Sequence, residues 1–135
     1  MVGMSVRILV AIGSLASIGF GIWHFTVPKT WLWNSYIDAR ATELILAVQA
    51  INIFFSLSLV LFGLMNSFLV FGNRSNKYSI AVVLGATCVL WLVRVLLQIG
   101  SPQGSMNRLL QLSMLSAFVL VFMCYTISLI QILRR

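Results

Sequence analysis

The chain offers few residues that can do chemistry, and those few lie at the edges of long apolar runs. His24, Glu43 and Arg94 are ionisable, and Trp91 and Gln98 flank Arg94. An ionisable group inside a lipid-facing segment is expensive, so it turns into the protein interior or a wet cavity. At 100° per residue Trp91, Arg94 and Gln98 share one helical face, with Thr87 a turn deeper. Arg94 costs up to about 3 kcal/mol at a span centre, while the Leu, Ile and Val residues around it return roughly 4 to 7 kcal/mol, so the segment still inserts.

Glu43 is the only carboxylate placed to meet Arg94 below the headgroups, and such a pair would lower the desolvation cost of both. Together with His24 these residues outline a shallow polar pocket roofed by Trp31 and Trp33. Two readings follow. In one, Glu43 and Arg94 form a structural ion pair that fixes which helices are neighbours, with His24 capped by a carbonyl. In the other, the pocket binds a lipid headgroup, a quinone carbonyl or a small anion.

Other chemistries lack their residues. A metal or haem site needs several ligands, and His24 is the single histidine. Cys88 and Cys124 sit in separate apolar runs and form no CxxC motif, so they read as small packing residues. No serine is spaced with a histidine and a carboxylate, no glycine-rich phosphate loop occurs, and no second carboxylate is deep enough for a proton relay.

The elements that must carry the pocket follow from composition. Of the 135 residues 61% are apolar and only 8% charged, well outside the range of soluble domains. About 20 apolar residues span a bilayer core of about 30 Å. Four such runs are legible, at 8–25, 44–68, 79–99 and 109–133, the second continuing to Phe71. The first follows a short basic leader but lacks a signal-peptide cleavage site and ends in bulky Trp23, His24 and Phe25, so it reads as a retained helix. The fold class is therefore an all-α, integral membrane four-helix bundle with antiparallel neighbours, a single membrane domain over 1–135.

Nine basic residues stand against two acidic ones, but they are scattered at the ends of the runs, which argues against a nucleic-acid partner. They read as topology signals and headgroup contacts. Arg7, Arg74, Lys77, Arg134 and Arg135 fall on one side, and Lys29, Arg40 and Arg108 on the other, diluted by Asp38. The positive-inside rule then places both termini in the cytoplasm. The loop 26–42, with Pro28, Trp31, Trp33 and Tyr36, should lie at headgroup depth on the outer surface as a short interfacial helix or turn.

Helices in lipid associate where small residues admit a close backbone and polar groups pair. Gly13, Ser17 and Gly21 make such a ridge on the first span, with His24 on the same face. Ala81, Gly85 and Cys88 mark the third span, and Ser113, Ala117, Cys124, Ser128 and Gln131 the fourth. Gln49, Asn52 and Ser56 offer hydrogen bonds from the second.

The stretch 18–33, IGFGIWHFTVPKTWLW, resembles the first helix and following loop of small DoxX-like four-helix membrane proteins, where a G-x-x-HF-x-x-P pattern closes helix one. The matching residues here are Gly21, His24, Phe25 and Pro28. The chain is also similar to small bacterial proteins with an aromatic loop before an asparagine-bearing second helix, here Asn52 with Phe54 and Phe55. The resemblance implies a four-helix architecture and, through terminal-oxidase or thiosulfate-quinone systems, a quinone as cofactor.

The residues themselves call for no cofactor. The expectation is a multi-pass binding or accessory subunit of the cell inner membrane, in contact with the bilayer and with either a membrane-protein partner or a second copy of itself. A quinone-associated redox subunit and a small dimeric transporter are the alternatives, the latter with Glu43 as its one acidic site. No catalytic motif is present.

Overall fold

A computed structural model describes residues 2–72, 74–104 and 107–134. Four long helices make up most of it: α1 (Met4–His24), α3 (Thr42–Phe71), α4 (Lys77–Gly100) and α5 (Arg108–Leu133), with a one-turn α2 (Val27–Thr30) and a 3-10 turn (Trp33–Tyr36) between the first two. All four are long and apolar enough to cross a bilayer. At 1.5 Å per residue the 30 residues of α3 reach about 45 Å, more than the core requires.

Side chains near the breaks set the helix starts. Asn76 accepts a hydrogen bond from the Ser79 amide at 2.8 Å, and Asn107 accepts from Leu109 and Leu110, each satisfying amides that no helical carbonyl reaches. Pro28 occupies the first turn of α2, where its missing N–H and fixed φ carry no penalty. Between α2 and the 3-10 turn Leu32 adopts a left-handed φ of 52°, costing about 1–2 kcal/mol for a residue with a Cβ. That reversal lets Trp31 meet Trp23 with ring centres 6.2 Å apart and Trp33 meet His24 at 6.3 Å.

Polarity is inverted relative to a protein in water. Leu15, Phe54 and Phe68 are exposed, while Ser14, Ser17, Asn52, Ser56, Asn66, Thr87, Arg94, Gln98 and Ser128 are buried. Only a hydrocarbon solvent suits that outside. The chain is thus a multi-pass membrane protein built as a helical bundle. α1 packs against both α3 and α5, and α4 against α5, whereas α3 and α4 touch much less. The α3–α4 seam is held by Asn66 Nδ2 donating to Thr87 Oγ1 at 2.7 Å.

The ridge on α1 lies inside the bundle and faces two partners. A Cβ on Gly21 would lie 2.7 Å from the Ser56 carbonyl oxygen of α3, and one on Gly13 would touch the Tyr125 ring of α5 at 3.1 Å. Of the small-residue faces expected on the other two spans, Cys88, Cys124 and Ser128 are buried, and the rest need correction. A Cβ on Gly85 would meet nothing within 4 Å, and Ser113 and Ala117 are exposed. The buried stripe of α5 is Met114, Phe118, Val121, Cys124, Tyr125, Ser128 and Ile132, because large rings fill the bundle centre. Tyr125 bonds Ser14 and Ser17 across to α1.

The two ends of the bundle are distinct. At one end Ser5 donates to Gln131 at 2.7 Å and Lys77 Nζ reaches the Leu133 carbonyl. His24, Arg94 and the α4–α5 connection occupy the other.

Candidate functional site

The site starts from the absence of a side chain at Gly21. Because α3 can approach α1 there, Asn52 Nδ2 donates to the His24 carbonyl at 3.3 Å and Ser56 Oγ lies 3.4 Å from His24 Nδ1. Ser56 Oγ also donates its proton to the Asn52 carbonyl at 2.7 Å. A hydroxyl has one proton to give, so its oxygen accepts from His24 Nδ1. His24 is further enclosed by the rings of Phe55, at 4.7 Å, and Trp33.

Across the seam, α4 presents Arg94, only 5% exposed. Its Nη2 donates to Gln103 Oε1 at 2.7 Å, and its guanidinium carbon stands 4.4 Å from the centre of the Phe118 ring. Nε has no partner among the described residues. Gln98 Nε2 donates to the Gln103 backbone carbonyl at 3.0 Å, which ties the α4–α5 connection down over the end of α4.

Between these groups lies a cavity of about 280 Å³, lined on its polar side by His24, Asn52, Arg94 and Gln103 and on its apolar side by residues that include Trp33, Ile51, Phe55 and Leu97. Its walls are α1, α3, α4 and the two connections at this end. Ile51 and Leu97 are exposed, so the cavity opens sideways along the loosely packed α3–α4 seam.

Of the residues expected from the sequence, His24, Trp33 and Arg94 line the cavity. Gln98 joins it through Gln103. Trp91 is buried beneath, its ring 5.8 Å from Phe118 and 6.4 Å from Phe20, and its Nε1 has no partner among the described residues. Trp31 packs on Trp23 beside the site instead.

Glu43 is the misplaced expectation. It lies exposed in the first turn of α3, and the partner of Arg94 is Gln103. The reason is helical phase: Glu43 precedes the inward-facing Asn52 by nine residues, which at 100° each is half a turn out. Equal depth does not bring two side chains together when one points away. At the helix start its charge also complements the N-terminal dipole.

Sequence reasoning missed Gln103 and Phe118. Phe118 belongs to a helix apolar on every side, which carries no periodic signal, and Gln103 reaches Arg94 only through the conformation of a loop. The two carboxylate side chains of the chain are Asp38 and Glu43; both are exposed, and Asp38 accepts from the Arg40 amide. Among the described residues the buried charge of Arg94 is therefore met by an amide oxygen and a ring face. No group of three or more metal-ligating side chains occurs among the described residues.

Comparison with protein-family models, with curated proteins and with solved structures gives no match for this chain.

Proposed function

We propose that this chain is a binding or accessory subunit of a cell inner membrane, and that the cavity between α3 and α4 receives a lipid headgroup or a small polar ligand at the outer leaflet. The observation that carries the reading is Arg94: a cation at 5% exposure, with its Nε free of partners among the described residues, on the wall of an open cavity. A buried charge without a counter-charge costs several kcal/mol, and an occupant bringing acceptor oxygens would recover part of that.

Native mass spectrometry after gentle extraction tests this. The wild-type chain is expected to carry a bound amphiphile that Arg94→Gln, close in shape and neutral, releases. Identical bound molecules in identical proportion on both proteins would end the proposal.

A quinone is the second reading. His24, the residue shared with the DoxX-like pattern, lines the cavity and lies among aromatic rings that suit a flat head; recovery of a quinone in the same measurement would favour it. Glu43, the acidic site on which the transporter reading rests, stands exposed in the first turn of α3 and does not line the cavity.

The orientation rests on charge: Arg7, Arg74, Lys77 and Arg134 at one end outnumber Lys29, Arg40 and Arg108 at the other, which favours cytoplasmic termini. Both native cysteines are buried, so single introduced cysteines report cleanly. Lys29→Cys should react with an impermeant maleimide on intact cells and Lys77→Cys only after lysis. The reverse pattern would invert the assignment.

A further inference from the structure

The strongest unexplained contact is the one that closes the cavity. A guanidinium offers five N–H donors, and among the described residues the one side-chain acceptor that Arg94 finds is the neutral Gln103 Oε1. The Arg94 guanidinium already makes this bond charge-assisted, but an anionic acceptor would add the attraction of opposite charges, which an amide oxygen lacks. Gln103 is itself exposed. Its backbone is fixed by Gln98, and Gly104, at a φ of +74°, turns the chain away directly after it. The Gln103 side chain can therefore rotate off Arg94 while the connection stays in place.

The cavity also limits what enters. At about 280 Å³ it is slightly smaller than pockets that enclose whole drug-sized molecules, about 300–1,000 Å³. It holds a head, and the lateral opening past Ile51 and Leu97 leaves any tail in lipid. A neutral carbonyl would only repeat what Gln103 already supplies. An oxyanion would add the missing charge.

Resting on the binding function proposed above, we infer that the cavity selects a phosphate-type oxyanion, and that Gln103 sets this specificity by holding the place of an anionic oxygen until the ligand displaces it. Gln103 acts as a neutral internal competitor, weak enough to leave and polar enough to give Arg94 Nη2 an acceptor while no ligand is bound.

The test uses the full chain in nanodiscs of digalactosyldiacylglycerol, a neutral bilayer lipid without phosphate, with a graded fraction of phosphatidylglycerol, bound lipid being counted by native mass spectrometry and unfolding followed by heating. The wild type should retain phosphatidylglycerol over the phosphate-free galactolipid. Gln103→Glu supplies the carboxylate internally; it should lose that preference by about ten-fold or more, as expected for a charge-assisted contact, while melting no lower than wild type. Gln103→Ala removes the competitor and should raise retention several-fold.

Inorganic phosphate added in millimolar amounts identifies the source: displacement of lipid marks a free anion as sufficient, and no displacement marks the headgroup with its tails. Either supports the oxyanion chemistry. If both Gln103 variants retain lipid as the wild type does while Arg94→Gln loses it, the role of Gln103 is overturned and the binding function stands. If the wild type does not discriminate between the two lipids, the oxyanion assignment is overturned. If Arg94→Gln keeps the wild-type pattern, the binding function itself fails.

Discussion

Gly21→Val is expected to lower the melting temperature of the bundle in mild detergent sharply and to disrupt the site at the same time, whereas Gly85→Val leaves both close to wild type. The two glycines are alike in sequence terms, each in the interior of an apolar span. They differ in what a side chain would meet. At Gly21 a Cβ would be 2.7 Å from the Ser56 carbonyl oxygen and 3.1 Å from the Leu59 Cβ. The first is backbone, so no rotamer change relieves it, and α1 and α3 must separate.

Overpacking in a close-packed interior costs typically about 1–3 kcal/mol; with the obstacle in the backbone the upper end applies. Separation of even an ångström also takes Asn52 Nδ2 beyond hydrogen-bond reach of the His24 carbonyl, now at 3.3 Å, and pulls Ser56 from the imidazole. At Gly85 nothing stands within 4 Å, and a lipid-facing valine packs against acyl chains. Equal melting of the two variants would show that α1 and α3 are not packed this closely.

What the sequence makes legible follows from which forces are local. The spans are written as apolar length, and their ends as the flanking charges and the bulky exit at Trp23, His24 and Phe25, so the four helices can be read directly. The α1 ridge is legible because Gly13, Ser17 and Gly21 are small on a single face, and the α4 face because Thr87, Trp91, Arg94 and Gln98 are polar or amphipathic against an aliphatic background. All four are buried. The partner of Arg94 is not legible. Opposite charges at one depth suggested Glu43, but a contact also requires matching phase, and phase between two helices is set by packing of the whole bundle. The α5 face is legible only in its second half, where Cys124 and Ser128 are buried; in its first half size decides what lies inside, and Met114 and Phe118 take the interior while Ser113 and Ala117 are exposed. Gln103 stands between two spans, in a connection whose chemistry depends on how the loop folds.

Phe118→Ala is expected to be the most damaging single truncation in the bundle, for a reason that separates it from the other rings. Phe118 is 1% exposed and lies under Phe20, at 5.0 Å, and Trp91, at 5.8 Å. Loss of a ring from a soluble core costs about 3–5 kcal/mol through transfer and cavity terms. In a bilayer the transfer term largely vanishes, since the separated helices remain in hydrocarbon, and packing loss alone would cost less. Phe118 carries a second contribution: its face supports the Arg94 guanidinium at 4.4 Å, a contact worth about 2 kcal/mol or more when desolvated. With the ring gone, Gln103 alone among the described residues attends a buried charge.

Phe118→Leu isolates this term, because it keeps most of the volume and removes the quadrupole. It should destabilise the wild type clearly yet be nearly neutral in an Arg94→Leu background, where no cation remains to support. Thermal unfolding of the four proteins of that cycle in one detergent gives the coupling directly. Strict additivity would mean that the ring serves only as filler and that Arg94 draws its balance from elsewhere. A coupling of the expected sign would make the ring and the amide of Gln103 the two halves of a single arrangement, which holds a cation in the membrane short of full neutralisation and therefore ready for an anion.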